Sequence, residues 1–159
     1  LLYSLLAEKL PGKIAGFYTE EIRKVGVRVG FKIESFEGQE GILAHIDFKS
    51  SKRVGKYKVN LKDLEEIGVG SISSGLKNAN FILIDEIGKM ELYSEKFKEA
   101  VQDVLDSDKP LIATIMKKSC PFADEIKKRK DVELFEVTVQ NRGELAQRII
   151  RELTKLNPR

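Results

Sequence analysis

The sequence predicts an α/β protein built on a mostly parallel, doubly wound sheet with an antiparallel hairpin at one edge. Three observations carry this. From Asn60 onward, helix-periodic segments alternate with short apolar runs, the pattern of strand–helix–strand units. Two runs, Phe81-Ile82-Leu83-Ile84 and Leu111-Ile112-Ala113-Thr114-Ile115, are nearly continuous in apolar residues, as strands buried on both faces are. Between Val25 and Glu34, apolar and polar residues alternate instead, which marks a strand with one wet face.

The elements follow in order. Leu1, Leu2, Leu5, Leu6 and Leu10 recur at helical spacing, and Pro11-Gly12 ends that helix. Ile14 to Thr19 reads as a short strand. Val25, Val27, Val29, Phe31 and Ile33 form the apolar face of the next one, Glu37-Gly38 supplies a turn, and Ile42, Ala44, Ile46 and Phe48 alternate back. Together they make a β-hairpin over about residues 24–48. Lys49 to Lys58 is a basic loop. Asn60 caps a helix carrying Leu61, Leu64 and Ile67. Gly68 and Gly70 interrupt it before a second helix with Val69, Ile72, Leu76 and Ala79. After the first buried strand, Ser94 caps a helix with Phe97, Val101, Val104 and Leu105. Pro110 to Ile115 is a strand, Pro121 to Arg129 a helix and Val132 to Val139 a strand. Asn141, with Glu144 in the capping-box position, opens the last helix.

Composition bounds the function. The 159 residues hold 28 Lys+Arg and 25 Asp+Glu, a net charge of +3, and are 42% hydrophobic. That describes one globular domain over residues 1–159 with enough chain for a core. The small excess of positive charge does not by itself argue for nucleic acid. No apolar run approaches the ~20 residues of a membrane span. The N-terminus lacks the basic region and cleavage site of a signal peptide. A single cysteine, Cys120, excludes an internal disulfide framework and fits a reducing, cytoplasmic compartment.

In a doubly wound sheet, ligands sit at the carboxyl ends of the strands. Asp85 and Glu86 stand there, straight after four apolar residues, a Walker-B-like pattern. Asp85 would emerge where a phosphate-bound Mg²⁺ lies, as its ligand directly or through water. Glu86, on the other side of the strand end, would orient or deprotonate an attacking water. A strand that simply ends in two solvated acids gives the same local pattern. Lys89 follows on the loop, where it would neutralise charge on a transferred phosphoryl group or pair with Glu91 at the surface. Thr114 brings a hydroxyl to the end of the neighbouring strand, for a γ-phosphate or the attacking water, or for the backbone.

The run Phe81 to Leu92, FILIDEIGKMEL, resembles the signature of a small P-loop nucleoside-triphosphatase family. That family was first described from thermophiles and is also known as the cancer-related nucleoside-triphosphatase family. Gly16-Phe17-Tyr18-Thr19-Glu20-Glu21-Ile22-Arg23, Gly30-Phe31, Val54-Gly55-Lys56-Tyr57-Lys58-Val59-Asn60, Ala113-Thr114-Ile115 and Asn141-Arg142 agree in order and spacing. The resemblance implies a RecA-like P-loop fold with a catalytic glutamate. It also implies slow, Mg²⁺-dependent hydrolysis of ATP, GTP and other nucleoside triphosphates to diphosphate and phosphate. It places Asp85 on Mg²⁺, and Asp85, Glu86, Ile87 and Gly88 at the nucleotide. Glu21 and Arg23 would lie near the site.

The phosphate-binding loop of such a family, G-x-x-x-x-G-K-[ST], is not among the 159 residues. Gly12-Lys13 is a superficial echo. The resemblance places that loop and the first strand before the first helix, and the chain opens inside that helix. We therefore expect an N-terminal piece ahead of Leu1, carrying the lysine and hydroxyl that reach the phosphates and Mg²⁺.

Other candidates divide between site and scaffold. Glu20, Glu21 and Arg23 would rim the crevice or form a charged edge. Arg53, Lys56 and Tyr57 would contact phosphate or base, or stay solvated. Asn141 and Arg142 would touch base or ribose, unless Asn141 serves only as a cap. His45 lacks the partners of a metal site, and Cys120 lacks a histidine to make it a nucleophile. Lys127 to Lys130 reads as a solvated helix face, with weak RNA contact as the alternative. Two further functions fit the same scaffold. One is a nucleoside or nucleotide kinase with Glu86 taking the proton of an acceptor hydroxyl. The other is a nucleotide-gated binding module that presents the wet Arg28–Lys32 face of the hairpin to a protein partner.

Overall fold

A computed structural model of the chain describes residues 2–156. It divides into two compact units, residues 13–115 and residues 2–12 with 116–156.

The first unit is built on a sheet. Its strands are β1 (Ile14–Lys24), β2 (Val27–Ser35), β3 (Glu40–His45), β4 (Arg53–Val54), β5 (Tyr57–Val59), β6 (Phe81–Ile87) and β7 (Leu111–Ile115). Among the described residues the order across the sheet is β4-β5-β3-β2-β1-β6-β7. β6 lies parallel to β1 on one side and to β7 on the other, and the remaining pairs are antiparallel. The α/β class stands, but the sheet is mixed rather than mostly parallel. The antiparallel part is larger than a single edge hairpin. The basic stretch expected to be loop contributes β4 and β5, so β2–β3 lies inside the sheet.

Helical segments connect these strands. The chain from Leu61 to Asn78 is helical throughout: α2 (Leu61–Asp63), a π-helical stretch (Leu64–Val69) and α3 (Gly70–Asn78). The expected interruption at Gly68 and Gly70 does not occur. Gly68 is used for close packing: a Cβ there would meet Phe17 and Ile33 at 3.2 Å. Asn60 caps this segment through its side chain, which accepts from the Asp63 N–H at 3.2 Å. Ser94 likewise caps α4 (Glu95–Leu105) by accepting from the Phe97 N–H at 3.0 Å. A 3₁₀ turn, Glu91–Tyr93, leads into it.

The core of this unit follows from the apolar faces. Phe81, Ile82, Leu83 and Ile84 are all buried, with Ala15, Phe17, Leu64, Ile72, Phe97 and Val101 around them. Phe17 meets Phe97 edge-on, with ring centroids 6.0 Å apart. Gly75 brings α3 onto β1 so closely that a Cβ would lie 2.4 Å from that of Ala15.

The β1–β2 connection corrects the reading of Val25. It is not part of the alternating face but forms a turn with Gly26, at φ 51° and 78°, and is fully exposed. Two positive φ values in a two-residue loop match the right-handed strand twist.

In the second unit, α1 (Leu2–Lys9) packs on α6 (Arg142–Leu156), and α5 (Pro121–Lys128) has Ala123 and Ile126 buried. Val132 to Val139, expected as a strand, forms none. Its alternation suits a sheet, but a strand needs a ladder partner, and among the described residues it has none. Asn141 stands at the start of α6, yet its side chain caps nothing there. Its amide oxygen accepts from the Thr138 N–H at 2.7 Å and its nitrogen donates to the Glu136 carbonyl at 2.8 Å.

Gly16 sets the pairing of β1 with β6. Its φ is +109°, and a Cβ would lie 1.9 Å from the Leu83 carbonyl oxygen. Gly16→Ala is therefore expected to lower the unfolding free energy by about 3 kcal/mol or more, measured by urea denaturation.

Candidate functional site

The two acids after the apolar run lie within the end of β6, not beyond it, because the strand continues to Ile87. Its ladders are nevertheless broken there. Pairing with β1 stops at Phe17↔Ile84, and pairing with β7 shifts register between Ile84 and Ile87. Asp85 and Glu86 occupy this gap at the carboxyl end of the parallel strands. Asp85 is half-buried and Glu86 exposed.

Thr114 closes one side of the gap. Its hydroxyl donates to Oδ1 of Asp85 at 2.7 Å, so the two residues chosen from neighbouring strands do meet. That bond orients the carboxylate. Among the described residues no three acidic, histidine or cysteine side chains gather into a metal cage. This donor set suits Mg²⁺, which keeps waters and phosphate oxygens and takes one or two carboxylates. The Glu86 carboxyl is pushed above the usual carboxylate range, first by loss of solvent around it and then by the charge of Asp85.

The loop that follows is tightly held. Ile87 and Gly88 are buried, and Lys89 is exposed at the surface. Glu91 is not its surface partner. It is 3% exposed, and burial pushes its pKa to about 8, with Glu86 and Asp85 adding to the shift. Three anchors hold the far end of the loop. Met90 packs on the Ala44–Tyr57–Val59 cluster, the Tyr93 hydroxyl donates to the Arg53 carbonyl at 2.7 Å, and the Ser94 hydroxyl donates to Glu65 at 2.6 Å. The sequence signal for Glu91 was an acid between Met90 and Leu92, which is weak, since a surface loop carries the same pattern.

The remaining candidates separate from this centre. Glu21 lies four residues past Phe17, about 13 Å further along β1 at 3.3 Å per residue. It binds Arg23 at 2.7 Å and Arg28 at 3.1 Å, and those two guanidinium groups hold its carboxyl below the usual range. Lys32 is met by Glu20, Glu34 and Glu40, so the wet hairpin face carries its own counter-charges. Tyr57 is buried, and its hydroxyl accepts from Arg28 at 2.9 Å. Its ring serves as a platform for Arg28 and Lys56 and is not free for a base. His45 Nδ1 accepts from the Asp47 N–H. Asn141 and Arg142 belong to the other unit, as do Cys120, 3.8 Å from the Met116 sulfur, and Lys127, whose ammonium donates to the carbonyls of Met116 and Lys117.

A buried parallel strand ending in Asp-Glu, with a hydroxyl from the adjacent strand on the aspartate, is compatible with a nucleotide-hydrolase type of α/β protein. The comparisons with known proteins agree. The family model described as NTPase matches residues 2–150, and the chain belongs to that family. It is 55% identical to the nucleoside-triphosphatase THEP1 of Thermotoga sp. (strain RQ2) over 135 residues, 85% of this chain and 78% of that protein. It is 42% identical to the THEP1 of Methanocaldococcus jannaschii over 153 residues, 93% and 86% of the two chains. Its fold matches the crystal structure of THEP1 from the hyperthermophile Aquifex aeolicus with a TM-score of 0.87 and 33% identity, covering 96% and 90% of the chains. The solution structure of a human cancer-related nucleoside triphosphatase matches with a TM-score of 0.74 and 34% identity, over 96% and 87%.

Glu91 makes stability pH-dependent. Its folded pKa of about 8 exceeds the unfolded value of ~4.3, so folding retains a proton that the unfolded chain releases. Stability is fully present below the unfolded pKa and falls as pH rises towards 8, by at most about 1.4 kcal/mol per pH unit. In Glu91→Gln this slope is expected to disappear, read from thermal melts between pH 5 and 8.

Proposed function

We propose that this chain hydrolyses nucleoside triphosphates to diphosphate and phosphate with Mg²⁺, in the cytoplasm. The observation that carries the reading is the pair Asp85 and Glu86 in the ladder gap at the end of β6, with Thr114 bonded to Asp85. Asp85, held in orientation by that hydroxyl, is the residue for the ion. Bound Mg²⁺ would supply charge neutralisation at the phosphate oxygens. Glu86 faces outward with a raised proton affinity, which suits a group that accepts a proton from water near neutral pH. Lys89 offers an exposed cation on the loop beside it for the charge that grows on the transferred phosphoryl group. No part of the 159 residues carries the glycine-rich lysine loop that cradles a triphosphate. Among the alternatives, the described hairpin shows no free cationic face, because its arginine and lysine are already met by Glu20, Glu21, Glu34 and Glu40.

Glu86→Gln tests this directly. Phosphate release from ATP and GTP is expected to fall by about 10²-fold or more while nucleotide binding persists. Unchanged release would remove Glu86 from the reaction.

Thr114→Val tests the ion assignment. Losing the hydroxyl that orients Asp85 is expected to raise the Mg²⁺ concentration for half-maximal rate by about 10-fold, with a smaller effect at saturating Mg²⁺. A titration that matches the parent protein would separate Asp85 from the metal.

A further inference from the structure

The positive charge of the chain is concentrated in one segment. From Phe48 to Lys62 stand Lys49, Lys52, Arg53, Lys56, Lys58 and Lys62 and no acid, whereas the rest of the chain holds 22 basic and 25 acidic residues. Lys58 is half-buried and donates to the Ile46 carbonyl at 2.7 Å, and the other five are exposed. None of those five forms an ion pair with a carboxylate among the described residues. The flanking acids are turned elsewhere. Asp63 accepts from the Ile42 N–H at 2.9 Å, and Asp47 lies 3.9 Å from Nδ1 of His45. Other groups of cations are answered. Arg23 and Arg28 meet Glu21, and Lys32 meets Glu20, Glu34 and Glu40. In the run from Lys127 to Lys130, Lys127 donates to two carbonyls and Arg129 pairs with Asp131.

The fold gathers the free cations on one ribbon. In the β4–β5 hairpin Val54 pairs with Tyr57 and Arg53 with Lys58, and the Val59 N–H donates to the Lys52 carbonyl at 2.8 Å. Gly55, at φ 60°, and Lys56 make the turn. Lys52, Arg53 and Lys56 therefore stand within about 10 Å of ladder. The ribbon is firm, because Tyr57 and Val59 are buried and the Tyr93 hydroxyl donates to the Arg53 carbonyl at 2.7 Å. That bond also brings a tyrosine ring that is 39% exposed beside the cations. β4 ends the sheet among the described residues. An edge strand resists pairing with charge of either sign, so edge protection does not require a segment without acids. Unanswered cations on a rigid support are the footprint of a polyanion site. An exposed aromatic ring beside them suits unstacked bases. A membrane surface would be met by an apolar face as well, and no large hydrophobic residue between Phe48 and Lys62 is exposed.

We propose that the β4–β5 ribbon binds single-stranded nucleic acid. Lys52, Arg53 and Lys56 hold the phosphate backbone, Lys49 and Lys62 extend the positive track, and Tyr93 offers its ring to a base. This surface is independent of the reading of Asp85 and Glu86.

The experiment is fluorescence anisotropy of a labelled oligouridylate of about 20 nucleotides, titrated with the full-length protein, with melting temperatures recorded for each variant. The parent is expected to bind with a Kd of about 10 µM at 50 mM KCl and to lose about 50-fold in affinity by 200 mM, as four or so phosphate contacts imply. Lys52→Glu/Arg53→Glu/Lys56→Glu is expected to bind at least about 10-fold more weakly, and Lys128→Glu/Lys130→Glu within about 2-fold of the parent. Tyr93→Leu should lose about 5-fold or more, while Tyr93→Phe, which keeps the ring, stays within about 2-fold. Glu86→Gln should bind as the parent does. Absence of binding, affinity that ignores salt, a triple variant equal to the parent, or an equal loss in Lys128→Glu/Lys130→Glu overturns the proposal. If the triple variant fails to fold, Lys52→Gln/Lys56→Gln decides, and unchanged affinity there overturns it. Full affinity in Tyr93→Leu, or tighter binding to the duplex of the same length, overturns the single-strand assignment. Tighter binding to phosphatidylglycerol vesicles at the same ionic strength replaces the nucleic acid with a membrane surface. Displacement of the oligonucleotide by Mg²⁺-ATP at matched ionic strength overturns it by placing the cations in the nucleotide site.

Discussion

β6 is clasped between parallel neighbours and buried on both faces from Phe81 to Ile84. A strand in that position has no freedom of register: a slip of one residue would turn apolar side chains to the wrong face and bring Asp85 into the core. Gly16 enforces the register from β1, since only a residue without a Cβ fits against the Leu83 carbonyl. The chemistry depends on this clasp because it decides where the acids emerge. Both ladders lapse at the same level, and the next two residues are Asp85 and Glu86.

The antiparallel half of the sheet serves the same end from the other side. β3 and β5 build the small cluster of Ala44, Tyr57 and Val59, and Met90 packs against it. Tyr93 reaches the backbone of β4 at Arg53. The π-helical stretch contributes Glu65 to Ser94. Three elements far apart in sequence thus converge on one loop. Each bond is modest, of order 1 kcal/mol, but together they remove the freedom of a segment that would otherwise move beside the acids. Tyr93 and Ser94 are fixed by these bonds, whereas Lys89 is exposed, which suits a cation that adapts to a bound anion.

What the sequence made legible was local or compositional. The apolar run announces a strand buried on both faces, and Phe81 to Ile84 form one. Asn60 and Ser94 read as caps because capping is decided within three residues, and the structure has both bonds. Thr114 was legible as a hydroxyl at the end of a neighbouring buried strand, and it bonds Asp85. The failures share a cause: they turn on distant partners. Val132 to Val139 alternates as well as any strand here, yet alternation does not supply a ladder. Gly68 looks like a helix breaker until Phe17 and Ile33 are known to press against it. Val25 continues a period-2 pattern across what is a turn, since a β-branched residue at positive φ is a poor turn signal. Asn141 sits at the cap position but spends its amide on Thr138 and Glu136.

Glu91 shows why a list of acids understates this site. Three carboxyl groups gather at the end of β6, and their environments separate them. Asp85 is half-buried and braced by a hydroxyl, the arrangement of a charged ligand. Glu86 is exposed yet crowded, and its proton affinity rises. Glu91 is sealed from water, and its burial cost favours the protonated form at neutral pH. If all three were ionised together, mutual repulsion in a partly desolvated pocket would cost several kcal/mol. Keeping the innermost one neutral removes that cost without removing its acceptor oxygens. The charge at the end of β6 is then left to Asp85 and Glu86.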